Sequence, residues 1–115
     1  MKTLISLILG FSILFTSSNL LAHAKILTSI PANNASYDTP LAAIELNFKN
    51  SSRLIKLSLK NQGKKIPLNF KPSAKANTHF SIPLPMLEKG QYSLEWITLG
   101  SDAHKMKSKI SFNQK

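Results

Sequence analysis

The 115-residue sequence contains no cysteine. That absence excludes disulfide reinforcement, thiolate metal ligands, a cysteine nucleophile and thioredoxin-like redox chemistry. Glycine is scarce, with four residues, and acidic residues number only five. There is no G-x-S-x-G elbow, no H-E-x-x-H and no glycine-rich phosphate loop, so a nucleotide-dependent enzyme or a glycosidase has little to be built from. A long apolar run is also missing. The longest, Thr3 to Phe15, falls short of the roughly 20 residues that a membrane-spanning helix requires.

That short run has a different use. Met1-Lys2 is a positive start, Thr16-Ser17-Ser18-Asn19 turns polar, and Leu20-Leu21-Ala22 ends on a small residue. These are the three regions of a secretory signal peptide, which assigns residues 1–22 to a cleaved leader and makes His23 the first mature residue. A competing cleavage after Ala24 stays open, because Ala22-His23-Ala24 also satisfies the small-x-small rule. The mature segment, residues 23–115, is one domain's worth of chain, and its core buries on the order of 60–70% of the unfolded surface.

Fifteen basic residues against five acidic ones give a formal charge of +10. Such an excess favours anionic partners. The lysines are scattered, however, with no run beyond Lys64-Lys65, and only Lys105, Lys107 and Lys109 alternate on one strand face. Export argues against nucleic acid, and a solvated basic surface is the simplest reading.

Apolar residues in the mature chain recur at spacing two between turn residues, which is the strand pattern. The expected strands are Lys25–Ile30, Ala43–Phe48, Leu54–Leu59, Ile66–Phe70, Thr78–Ile82, Tyr92–Leu99 and Lys107–Phe112. Asn50-Ser51-Ser52 breaks the second from the third, and Asn61-Gln62-Gly63 reads as a hairpin turn. Pro67 suits an edge position. In the longest strand Tyr92, Leu94, Trp96 and Thr98 face one way. No helical period is sustained. Seven short strands at this spacing predict an all-β, immunoglobulin-like β-sandwich, with Trp96, Tyr92, Phe48 and Phe112 as the larger pieces of its core.

The mature histidines are His23, His79 and His104. Cleavage after Ala22 would give His23 a free α-amine beside its imidazole Nδ1, and the two nitrogens can close a chelate ring on one ion. The amine's ordinary pKa is about 8, so a modest metal affinity displaces its proton at neutral pH. Asp102 and His104 stand at i, i+2 and share a face if the backbone is extended. Together the set offers three nitrogens and a carboxylate oxygen, which in a tetragonal arrangement suits Cu(II). Each half has a plainer reading: a lone D-x-H is usually a solvated turn, and a histidine near a cleavage site is often incidental.

Resemblance to a known family adds weight. The segment His23-Ala24-Lys25-Ile26-Leu27-Thr28-Ser29-Ile30-Pro31-Ala32 is similar to the mature start of the CopC family of periplasmic copper proteins. Ile44–Phe48 resembles that family's second strand. Leu87-x-x-Gly90-x-Tyr92-x-Leu94-x-Trp96 resembles its L-x-x-G-x-Y-x-V-x-W segment. Ser101-Asp102-Ala103-His104 followed by Ile110-Ser111-Phe112 resembles its closing stretch. The likeness spans essentially the whole mature chain. Lys49-Asn50 and Ser108 depart from the family's usual Ser-Glu and Gly.

The resemblance implies a Greek-key β-barrel or sandwich over residues 23–115, a periplasmic address, and one Cu(II) ion held by His23, Asp102 and His104. It implies copper buffering, resistance or delivery to a CopD-like inner-membrane protein, without catalysis, and a monomer is expected. Some members carry a methionine-rich loop for Cu(I). Here the mature chain holds only Met86, read as packing, and Met106, a neighbour of the D-x-H pair. His79 is read as an exposed or core-edge residue. Two rivals are an envelope-binding sandwich that uses its lysines and no metal, and a copper-dependent oxidative enzyme with an N-terminal histidine chelate.

Overall fold

The computed structural model describes residues 26–115; the expected leader and His23 lie outside the described residues. The elements are β1 (Ile26–Ile30), β2 (Ala35–Tyr37), β3 (Ala43–Asn61), β4 (Lys64–Ile66), β5 (Asn77–Pro83), β6 (Gly90–Gly100) and β7 (Lys105–Gln114), with no helix among the described residues. All seven belong to one curled sheet with the backbone order β1-β3-β6-β7-β2, and β4 and β5 also pair with β3. The architecture is the all-β, seven-stranded sandwich that the alternation predicts. Beyond shifts of one or two residues at strand ends, it differs from the expected strands in three places.

The first difference is β3, a single strand of 19 residues where the sequence suggests two. Lys49 to Ser51 are exposed, so the hydrophobic pattern stops there. The backbone ladder does not, because Ser52 pairs with Asn77 on β5 and with Gly100 on β6. Polarity marks where side chains leave the core, not where the strand ends. A bulge between Leu54 and Lys56 then shifts the parity, so that Ile44, Leu46, Phe48 and Leu54 are followed inward by Leu57 and Leu59.

The second difference is β4, which covers Lys64–Ile66 in place of the expected Ile66–Phe70. Gln62 and Gly63, at φ 50° and 80°, form the two-residue turn that returns the chain. Pro67 has no N–H to continue the ladder, although Leu68 and Phe70 still pack against the core. The third is β2, outside every expected strand, which pairs in parallel with β7. Its entry is held by Asn34 N–H donating to Ser111 O at 2.6 Å and by Asn33 Oδ1 accepting from Ser111 N–H at 3.0 Å.

The core gathers the inward side chains of β3, β5, β6 and β7. Leu94, Trp96, Thr98 and Phe112 are essentially inaccessible, and Tyr92 stacks on Phe112 at 5.4 Å. Leu94 and Phe112 each contribute about 1.5–3 kcal/mol on burial. Met86 does not join them. It is 81% exposed, contrary to its expected packing role, because Leu87 and Leu84 take the inward positions of that loop.

Candidate metal centre

The turn joining β6 to β7 carries two of the three expected ligands. Leu99 pairs with Lys105, and the tip between them is closed by Gly100 N–H donating to His104 O and Ala103 N–H to Gly100 O, both at 3.0 Å. Ala103 sits at φ 67°, in the left-handed region that costs a non-glycine residue roughly 1–2 kcal/mol. The extended backbone assumed for Asp102 and His104 is therefore not what brings them together. The turn curls the chain, and Asp102 reaches forward to its neighbour: Oδ2 lies 2.7 Å from His104 Nδ1, and Oδ1 accepts from His104 N–H at 3.2 Å.

These bonds hold the Asp102 carboxyl below the usual carboxylate range, the side-chain bond from His104 first and its backbone N–H second. Both side chains stand in solvent, 65% and 77% exposed. An anionic carboxylate and an imidazole, exposed and preoriented by one tight turn, are a nitrogen–oxygen donor pair of the kind a metal ion can take. Gly100 belongs to this arrangement although the sequence alone did not single it out, since a Cβ there would stand 3.0 Å from Asp102 Oδ1. Its signal was available in the G-S-D-A-H pattern of a turn.

The topology also orients the start of the described chain. β5 and β6 both pair with Ser52, so they occupy opposite edges of β3, and β1 shares the edge that β6 uses. Ile26 pairs with Phe48, and β1 runs antiparallel to β3, so its upstream end points along that edge toward Gly100. Among the described residues no three His, Cys, Asp or Glu side chains converge as a metal site. His79, on β5, lies with 57% of its side chain exposed, as expected for a surface histidine.

Comparison with known proteins identifies the family and the fold. The CopC domain family matches residues 26–115. The chain belongs to the CopC family. Among solved structures, CopC from Methylosinus trichosporium OB3b superposes with a TM-score of 0.67 at 18% identity, covering 81% of this chain and 94% of that one. The copper resistance protein PcoC from Escherichia coli, as the selenomethionine protein, gives 0.64 at 20% identity, covering 79% and 99%. A second PcoC structure, described as methionine-rich, gives 0.59 at 23% identity, covering 82% and 100%. At these identities the structural likeness establishes the fold. No curated protein matches the sequence. This CopC-family chain differs in composition from a methionine-rich one: it has three methionines, Met1 in the expected leader, Met86 exposed in a loop and Met106 half-buried on β7.

Proposed function

We propose that the mature protein is a periplasmic Cu(II)-binding protein that holds one ion with the amine and imidazole of His23, the Asp102 carboxylate and the His104 imidazole. The observation that carries this reading is the Asp102–His104 pair, an exposed, preoriented nitrogen–oxygen couple. On copper binding the proton between Nδ1 and Oδ2 leaves. Two cis ligands at about 2.0–2.1 Å from an ion stand about 2.9 Å apart or more, so the 2.7 Å pair opens by a few tenths of an ångström. His23 lies three residues before Ile26, about 10 Å of extended chain. The upstream end of β1 is directed toward the turn, which supports closure of the chelate from that side.

Copper is the cargo. PcoC is a copper resistance protein, and the chemistry required here is capture and release. Buffering or resistance in the periplasm follows, with delivery to a CopD-like inner-membrane protein as the onward step, the signal peptide at 1–22 providing export of a monomer. Nitrogen and oxygen donors without a thioether cluster favour Cu(II) over Cu(I).

The test is the Cu(II) electron paramagnetic resonance spectrum of the exported protein, its N-terminus first established by mass spectrometry. His104→Ala and a one-residue N-terminal extension are each expected to abolish tight binding. A mature chain beginning at Lys25, or an unchanged spectrum in the extended protein, would overturn the reading.

A further inference from the structure

On the outer face of the sheet, away from the turn, β1, β3 and β5 carry a row of polar side chains in register. Thr28 pairs with Asn47, Asn47 with His79, and Glu45 with Ser81. Asn47 Nδ2 donates to Thr28 Oγ1 at 2.9 Å, which turns its Oδ1 toward the His79 ring, 2.7 Å from Nδ1. On the other side of the ring, Nε2 faces Glu45 Oε1 at 3.2 Å, so the imidazole bridges an amide oxygen and a carboxylate. The other carboxylate oxygen, Oε2, accepts from Ser81 Oγ at 2.6 Å.

We propose that His79 Nε2 and Glu45 Oε1 form a second, weaker site for a divalent ion of the Cu(II) or Zn(II) kind. Two arguments carry it. Nitrogen and oxygen ligands at about 2.0–2.2 Å from one ion, at angles between right and tetrahedral, lie about 2.9–3.4 Å apart, and the observed separation of 3.2 Å falls within that range. Each donor is also held by a partner of the type that supports metal ligands: the histidine's other nitrogen faces a carbonyl oxygen, and the carboxylate accepts a hydroxyl. The pair is open to solvent, with side chains 57% and 30% exposed, so water fills the remaining positions and exchange is fast.

This site is separate from the turn. Asn47, the partner of His79, lies five residues along β3 from Ser52, the partner of Gly100, roughly 16 Å of strand. It does not depend on His23, Asp102 or His104.

Cu(II) alone and Zn(II) alone, titrated into the mature protein and into its variants, distinguish the two sites. The wild type is expected to take a second equivalent that His79→Ala and Glu45→Gln each remove while keeping the tight one. His104→Ala is expected to lose the tight equivalent and keep the weak one. Asn47→Ala removes only a positioning contact and is expected to weaken the second equivalent about 10–100-fold. Circular dichroism confirms that each variant is folded. The proposal is overturned if the wild type saturates at one ion that His79→Ala retains, or if a second equivalent survives in both His79→Ala and Glu45→Gln. A single ion lost in His79→Ala but kept in His104→Ala would support this site and overturn the one at the turn.

Discussion

Replacing Gly100 by alanine separates the stability of the β6–β7 turn from its chemistry. The new Cβ would stand 3.0 Å from Asp102 Oδ1, closer than an ordinary carbon–oxygen contact by a few tenths of an ångström, and 4.0 Å from His104 O, which is comfortable. The carboxylate is what moves, because Asp102 is exposed and its side chain is free to rotate. Its 3.2 Å bond from His104 N–H is already long and is the first to be lost. Water replaces an exposed bond of this kind, so its loss costs little, and alanine stabilises by about 0.4–1 kcal/mol by restricting the unfolded chain. The folding free energy is therefore expected to change by less than about 1 kcal/mol, measured by urea denaturation of the metal-free protein. Copper affinity should respond more, because displacing an orienting or ligating carboxylate costs about 10–100-fold. Competition titration against a copper chelator reads that quantity. A loss of more than about 3 kcal/mol of stability would show that the backbone itself demands glycine. An unchanged affinity beside a weakened Asp102→Ala variant would show that carboxylate orientation is irrelevant.

Three further outcomes are expected. The chelator-treated protein should give a β-sheet circular dichroism spectrum, and copper at a hundred to a thousand times its dissociation constant should add about 3–4 kcal/mol; a random-coil spectrum without metal refutes this. Copper affinity should fall as pH drops through the ordinary imidazole value of about 6.5, followed by competitive titration at each pH. Asp102 does not set that fall, since its carboxyl is held below the usual range by His104; its own stabilising bond is present above the ordinary aspartate value and is lost as pH falls through the depressed one. Leu94→Ala, at a position with no exposed surface, should cost about 2–5 kcal/mol in urea denaturation, and a cost below about 1 kcal/mol would mean the inward face of β6 is not part of the core.

The inward faces were legible in the sequence because alternation records burial directly: Tyr92, Leu94, Trp96 and Thr98 all point into the core as the period demands. The boundaries were less so. A polar Asn50-Ser51-Ser52 looks like a loop, yet backbone groups there pair without apolar side chains. The short β2 carries no periodic signal at all, since Asn33 and Asn34 fix it through hydrogen bonds to Ser111 that only the fold brings near. At the turn, D-x-H pointed to two side chains that the fold does bring together, but for a reason that does not hold. The contact arises from the left-handed Ala103 and the closed tip, not from an extended chain. The Glu45–His79 pair was invisible because its partners are 34 positions apart and meet only through the β3–β5 register.

One strand, β3, is hydrogen-bonded along its length to β1, β4, β5 and β6. No part of the sheet on either side of Ser52 can loosen without disturbing the ladder that serves the other part. The molecule should therefore melt as a single cooperative unit, with no separately stable fragment. Most of its pairings join segments distant in sequence, which places its folding in the millisecond-to-second range typical of non-local β topologies. The same continuity would give the proposed copper site a rigid base, because the Gly100–His104 turn stands beside Ser52, the middle residue of β3.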